Sequence, residues 1–159
     1  MKVKTLLEGK PFMTEYGIVG YSTVVFIACD DEKNILYDCG SKGCALQLKE
    51  ALEKAGMKPE DITHVVISHL HFDHVGNLPL FSNAEILLNK IEWESANQTP
   101  DEWHSIQTLA YLEKRGNLRF VKEGDIISEE VSVMELPGHT PGLIGLRCGA
   151  ETILCSDAM

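Results

Sequence analysis

After the apolar run Val65-Val66-Ile67 the chain reads Ser68-His69-Leu70-His71-Phe72-Asp73-His74, four metal-competent side chains within six residues. His69 and His71 are two apart, so a chain leaving a strand in extended form points both imidazoles the same way, where they can share one ion. Asp73 and His74 are consecutive, and a turn there aims them at a second position beside the first. One short loop would then feed two adjacent metals. Imidazole nitrogen with carboxylate oxygen suits zinc, one ion or two, with iron or manganese as alternatives. A purely structural zinc clip is the competing reading, but closed structural sites favour cysteine and this loop has none.

Two further segments extend the pattern. Pro137-Gly138-His139-Thr140-Pro141-Gly142 follows the strand-like run from Val131 to Leu136 and would present His139 from a tight loop shaped by Gly and Pro. Asp157 follows another such run, Thr152 to Cys155. The order HxHxDH, then PGHTPG, then an Asp at a strand end resembles the metallo-β-lactamase superfamily over nearly the whole chain. Asp38, in Ile35-Leu36-Tyr37-Asp38-Cys39-Gly40, is similar to that family's early Asp, which supports the metal loop from behind.

The resemblance implies an αββα sandwich of two face-to-face sheets with helices outside. It assigns His69, His71 and His139 to a first metal, Asp73 and His74 to a second, and Asp157 to a bridging position. It implies a metal-dependent hydrolase in which hydroxide held between the ions attacks a lactone, thioester or β-lactam carbonyl, with Asp73 orienting the nucleophile and handling its proton. One departure stands out: the family's last metal-site histidine lies beyond the bridging Asp, and this sequence stops at Met159. Residues 1–159 are therefore expected to be a single domain incomplete in its second half. Val131, Val133, Leu143, Ile144, Leu146, Ile153 and Leu154 should then present apolar surface or a free strand edge that a second copy or a swapped element covers. Two alternatives stay open. One is a mononuclear iron persulfide dioxygenase-like enzyme using His69, His139 and Asp157; the other is a non-catalytic fragment.

Composition narrows the partners. The chain has 159 residues, one domain's worth, and is 44% hydrophobic, enough for a sizeable core. A net charge of −10 without basic clusters repels a polyanion, so small molecules are expected rather than nucleic acid. Cys29, Cys39, Cys44, Cys148 and Cys155 are odd in number and lack CxxC spacing, which fits a reducing cytoplasm better than a disulfide framework. The segment from Met1 to Glu8 is too short and charged for a signal-peptide core, no run reaches membrane-spanning length, and no GxSxG offers a rival nucleophile.

The elements that must position these residues follow from patterning. Strands are predicted over Lys2 to Glu8, Tyr21 to Ala28 and Asn34 to Cys39 as a meander, and over Thr63 to Ser68 as a strand buried on both faces. Ala45, Leu48, Leu52 and Ala55 recur at helical spacing between Ser41 and Ala55. A short helix is expected around Ile91 to Ala96. A second should start with Thr99 as N-cap, Pro100 at the first position and Glu102 closing a capping box, run to Arg115, and bury Trp103, Ile106 and Ala110. Strands resume at Leu118 to Lys122, Val131 to Leu136, Leu143 to Cys148 and Thr152 to Cys155.

Residues outside the motif read as ordinary structure. His64 is expected to be a hydrogen-bonded strand histidine and Cys155 a small buried hydrophobe. His104 could line a pocket with Trp93, Trp103 and Tyr111, but the simpler expectation is core tryptophans and a solvent-facing His104. Tyr16 and Tyr21 flank Gly17-Ile18-Val19-Gly20, which is either a hairpin over the metals or a plain turn.

Overall fold

The computed structural model describes residues 1–15 and 17–158. Tyr16, named above as one flank of the glycine-bounded segment, lies outside them. In chain order the strands and helices are β1 (Lys2–Leu7), β2 (Met13–Thr14), β3 (Gly17–Ile18), β4 (Val24–Ala28), β5 (Asn34–Tyr37), α1 (Ala45–Lys54), β6 (His64–Val66), α2 (Phe72–Val75) and β7 (Glu85–Asn89). They continue with α3 (Lys90–Gln98), α4 (Ile106–Arg115), β8 (Leu118–Val121), β9 (Ile126–Ser128), β10 (Val131–Glu135), β11 (Ile144–Cys148) and β12 (Thr152–Leu154).

The first sheet has the order β1-β4-β5-β6-β7-β8 and the second β12-β11-β10-β9. Strands β1, β4 and β5 form the antiparallel meander, while β5 through β8 run parallel. Parallel strands need cover on both faces, and they have it. One face packs against the helices in a core that includes Leu48 and Leu52 of α1, Ala96 of α3 and Leu112 of α4 with Leu36, Val65, Ile86 and Leu88. The other face packs on the second sheet, where Val25, Ile27, Ile35, Val66 and Leu87 meet Val131, Val133, Ile144 and Leu146. Residues alternate between these two cores along β4, β5, β6 and β7, as a period of two dictates. This is the mixed α/β, sheet-on-sheet arrangement that the resemblance implied.

Register then decides where the chemistry sits. Tyr37 pairs with Val66 and Val66 with Leu87, so β5, β6 and β7 end at the same edge. Asp38, the loop from Ser68 to His74, and Asn89 leading into α3 all emerge there. In the second sheet β10 and β12 are both antiparallel to β11, so the His139 loop and Asp157 also leave one common edge. The Ile144 amide donates to the Ser68 carbonyl at 3.0 Å and fastens the two edges together.

Several expectations change. The helix predicted from Thr99 begins instead at Ile106, with Ser105 as N-cap accepting from the Thr108 amide. Thr99 is already used at the C-terminal end of α3, where its amide and hydroxyl both donate to the Ser95 carbonyl, and Ile106 is 76% exposed rather than buried. Strands β7 and β9 were not anticipated. Of the apolar residues expected to present surface or a free strand edge, Val131, Val133, Leu143, Ile144 and Leu146 are buried and Leu154 is partly buried; Ile153, on the edge strand β12, is exposed. Residues 13–14 and 17–18 pair as a separate small hairpin. No helix is long and apolar enough to cross a membrane among the described residues.

The two faces of α1 give a stability test. Leu48 is fully buried and Leu46 is 66% exposed. Leu48→Ala is predicted to cost about 2–5 kcal/mol in denaturant unfolding, and Leu46→Ala less than about 0.5 kcal/mol. Equal losses would contradict the assignment of the helix face.

Candidate metal centre

Asp38 anchors the loop. Its carboxylate is 1% exposed and accepts from the Ser68 amide at 2.8 Å and the Ser68 hydroxyl at 2.7 Å, and it lies 2.8 Å from His74 Nδ1. The residue adopts φ 58°, a left-handed conformation that costs a non-glycine residue about 1 kcal/mol or more. With Nδ1 of His74 donating to Asp38, its Nε2 is left with a free lone pair. The backbone is held as well: the Cys39 amide donates to the His74 carbonyl at 2.8 Å and the Gly76 amide to the Gly40 carbonyl at 2.9 Å. A side chain at Gly76 would place its Cβ 2.3 Å from the Lys42 nitrogen, so this close approach requires glycine.

His69 and His71 leave the end of β6 on the same side, with ring centroids 4.6 Å apart. His139 Nε2 lies 3.1 Å from His71 Nδ1. Asp157 Oδ2 stands 3.4 Å from His74 Nε2, 3.6 Å from His139 Nε2 and 4.0 Å from His69 Nε2. Ligand atoms about 2 Å from a tetrahedral ion lie roughly 3.3 Å from one another, which is the spacing seen here. Two groups converge: His69, His71 and His139, and His69, His74 and Asp157. His69 thus belongs to both, where the sequence reading gave it to the first alone. Asp73 belongs to neither; its Oδ2 lies beside them, 3.7 Å from His74 Nε2.

The buried Nε2 atoms of His69, His71 and His74 have no hydrogen-bond partner. An unpaired buried polar atom costs on the order of 1–3 kcal/mol, and two of these, on His69 and His74, face the same Asp157 oxygen, which packing does not explain. Their donor chemistry fits a divalent cation. Burial, and then the neighbouring imidazoles, hold His69 far below its ordinary range, and burial lowers His71 to about 4 in spite of Asp101. His74 is the reverse case. Burial opposes its charge, yet Asp38, Asp157 and Asp73 raise it to about 10, and the His74 contact in turn depresses Asp157. The carboxylates around His74 therefore favour positive charge, which a proton or a metal ion can supply.

Sequence reading missed Glu92. This carboxylate, 1% exposed on α3, accepts from the Leu70 amide at 2.9 Å and from the Gly142 amide at 3.2 Å, tying the HxHxDH loop to the PGHTPG loop. Gly142 is required for the contact, because a Cβ there would sit 2.1 Å from the Glu92 nitrogen. A lone Glu in a helix reads as a solvated face, so only its position after Asn89, which caps α3 by accepting from the Ile91 amide, hinted at the loop edge.

Two corrections concern the rim. His104 has a side chain only 7% exposed and packs edge-to-face on His71, centroids 5.1 Å apart, so it does not face solvent. Trp103 is partly buried and stacks on Phe72 at 6.3 Å outside both cores. His71, Phe72, Asp73, Trp103, His139 and Asp157 line a cavity of about 170 Å³. His64 stays on its strand away from the centre, 2.8 Å from the Thr63 hydroxyl.

Two outcomes are predicted from this geometry. His69→Ala should abolish tight metal binding and His139→Ala weaken it strongly, measured as bound metal per chain; wild-type stoichiometry in either would refute the grouping. Glu92→Ala should lose about 1–3 kcal/mol for each amide it orphans, and an unchanged unfolding midpoint would show that the brace carries no weight.

Known proteins resemble this chain over much of its length. The chain is 38% identical over 92 residues to an N-acyl homoserine lactonase of Bacillus cereus, covering 57% of this chain and 34% of that protein. It is 33% identical over 112 residues to metallo-beta-lactamase domain-containing protein 1 of Xenopus laevis, covering 70% of this chain and 42% of that one. The chain thus spans less than half the length of these curated relatives. A putative metallo-beta-lactamase from Thermotoga maritima superposes with a TM-score of 0.82 at 24% identity, covering 95% of this chain and 73% of the other. A B. thuringiensis AiiA mutant, solved with N-decanoyl-L-homoserine at its active site, superposes at 0.67 and 20% identity over 81% of this chain and 59% of its own. The family model described as the metallo-beta-lactamase superfamily matches residues 17–156, and the chain belongs to that superfamily.

Proposed function

We propose that this chain builds the zinc centre of a hydrolase acting on small ester-like substrates, with lactones foremost. The observation that carries the reading is the convergence of buried, unpartnered imidazole nitrogens and Asp157 on one point at the wall of a cavity. The lactonase relatives support a lactone over other acyl compounds. His69, His71 and His139 would hold one ion, and His74 and Asp157 with Asp73 a second. A bound divalent ion supplies Lewis acidity, which makes water nucleophilic near neutral pH and stabilises charge on a carbonyl oxygen.

The chain's own residues supply the rest. Burial raises the Asp73 carboxyl above its usual range, and its position in the cavity wall suits it to take a proton from attacking water and return it to the departing alkoxide. Phe72 and Trp103 form an apolar wall that excludes bulk water and can hold the substrate's carbon skeleton. The alternative with only His69, His139 and Asp157 as iron ligands leaves the buried His74 Nε2, 3.4 Å from Asp157, unmet, so the larger ligand set is favoured.

Asp73→Asn is expected to keep ion binding at the first group and to reduce lactone turnover about 10²-fold or more. Turnover within a few-fold of the parent chain would remove Asp73 from the mechanism. In a panel of small lactones, thioesters, a β-lactam and RNA under equal zinc loading, the lactones should be opened fastest. Faster RNA cleavage would overturn the substrate class, and iron retained in place of zinc with no hydrolysis would favour the dioxygenase.

A further inference from the structure

His71 offers two nitrogens, and the metal groups use only one. Nδ1 faces His139 Nε2 at 3.1 Å, whereas Nε2, on the other edge of the ring, is buried and directed at Asp101. The separation from Asp101 Oδ2 is 3.5 Å, the outer limit of a hydrogen bond. Asp101 is itself held in place. Its Oδ1 accepts from the Trp103 amide at 2.9 Å and lies 2.7 Å from Nδ1 of the buried His104 ring. The backbone docks the same segment onto the loop: His71 and His104 form an isolated antiparallel bridge, and the Phe72 amide donates to the Trp103 carbonyl at 2.9 Å.

We propose that Asp101, fixed in turn by His104, is a positioning residue for the metal centre, accepting the Nε2 proton of His71 and so committing Nδ1 to the ion. The inference rests on reading the histidine group as a metal site. A neutral imidazole carries one N–H, and the nitrogen that bears it cannot be the ligand. A carboxylate on that N–H fixes the tautomer, fixes the ring plane and makes the other nitrogen a stronger donor. The same three side chains place their ligand atoms within 4.8 Å of one another, the spacing of a cation site. A cation on Nε2, however, would require His71 to give up its remaining proton while serving the first ion through Nδ1. His104 Nδ1 is also already engaged by Asp101. The clamp satisfies every one of these atoms without that cost.

The test is zinc affinity of the purified, chelator-stripped chain, measured by competition with a chromophoric chelator, with the visible spectrum of the cobalt(II)-loaded chain as a second readout. Asp101→Ala should bind the tighter ion about 10- to 100-fold more weakly and alter the cobalt bands. Asp101→Asn, which keeps an accepting oxygen but not the charge, should fall between, and His104→Ala should weaken binding in the same direction. The unfolding midpoint of the metal-free variants should move by no more than about 2 °C. Zinc affinity within twofold of the parent chain in both Asp101 variants, while His71→Ala loses its ion, would overturn the clamp and leave the metal reading standing. A metal-free midpoint that falls in step with affinity would overturn it too, as a contact that only stabilises the fold. A parent chain that binds no zinc would sink both.

Discussion

Everything at the centre depends on the buried Asp38 carboxylate. It takes the Ser68 amide, the Ser68 hydroxyl and His74 Nδ1 within 2.8 Å, and so fixes the start and the end of the ligand loop with one side chain. A carboxylate this deep is tolerable only because charge-assisted donors surround it. Ser156, the other non-glycine residue near the centre with positive φ, joins the same network by donating to Ser68 Oγ at 2.9 Å. That contact brings the neighbouring Asp157 onto the imidazoles. Two strained backbone positions thus flank the ligands, and the hydrogen bonds between them offset the strain.

The site is assembled at the facing edges of two sheets, and edges alone would slide. Glu92 prevents that by bonding one amide from each ligand loop, and Gly142 lets α3 approach closely enough for it to do so. Packing supports the polar contacts from below, since Val66 and Leu87 of the first sheet bury against Ile144 and Leu146 of the second. Metal affinity in such a site is set by how little the ligands must move, so this rigidity belongs to the function as much as to the fold.

Family membership and substrate are separate matters. The shared metal scaffold accommodates many acyl compounds, and selectivity is written in the cavity wall. In the proposed reading that wall is Phe72, Trp103 and Asp73, in the segment between β6 and α4. A second cavity of about 290 Å³, lined in part by Thr23, Val25, Tyr37 and Ile153, meets the centre at His74 and Asp157.

The clustering of His69, His71 and His74 was legible in the sequence because their spacing is local. Two histidines two apart at a strand end must share a side, and a Gly- and Pro-bounded histidine must lie in a loop. Most strands and α1 were legible for the same reason, since burial on one face imposes a period. The segment 99–105 was not. Its capping pattern is a sound local signal, but Thr99 is used by α3, and docking against His71 outweighs the roughly 0.5–2 kcal/mol that a cap contributes. Glu92 and Asp101 stayed silent, and His104 was read as solvent-facing, because a polar residue in a helix or turn carries no mark of what it will face. That His69 serves both ligand groups, and that Glu92 joins the two loops, was decided only when the parallel register of β5, β6 and β7 brought their ends to one edge and the second sheet closed over it.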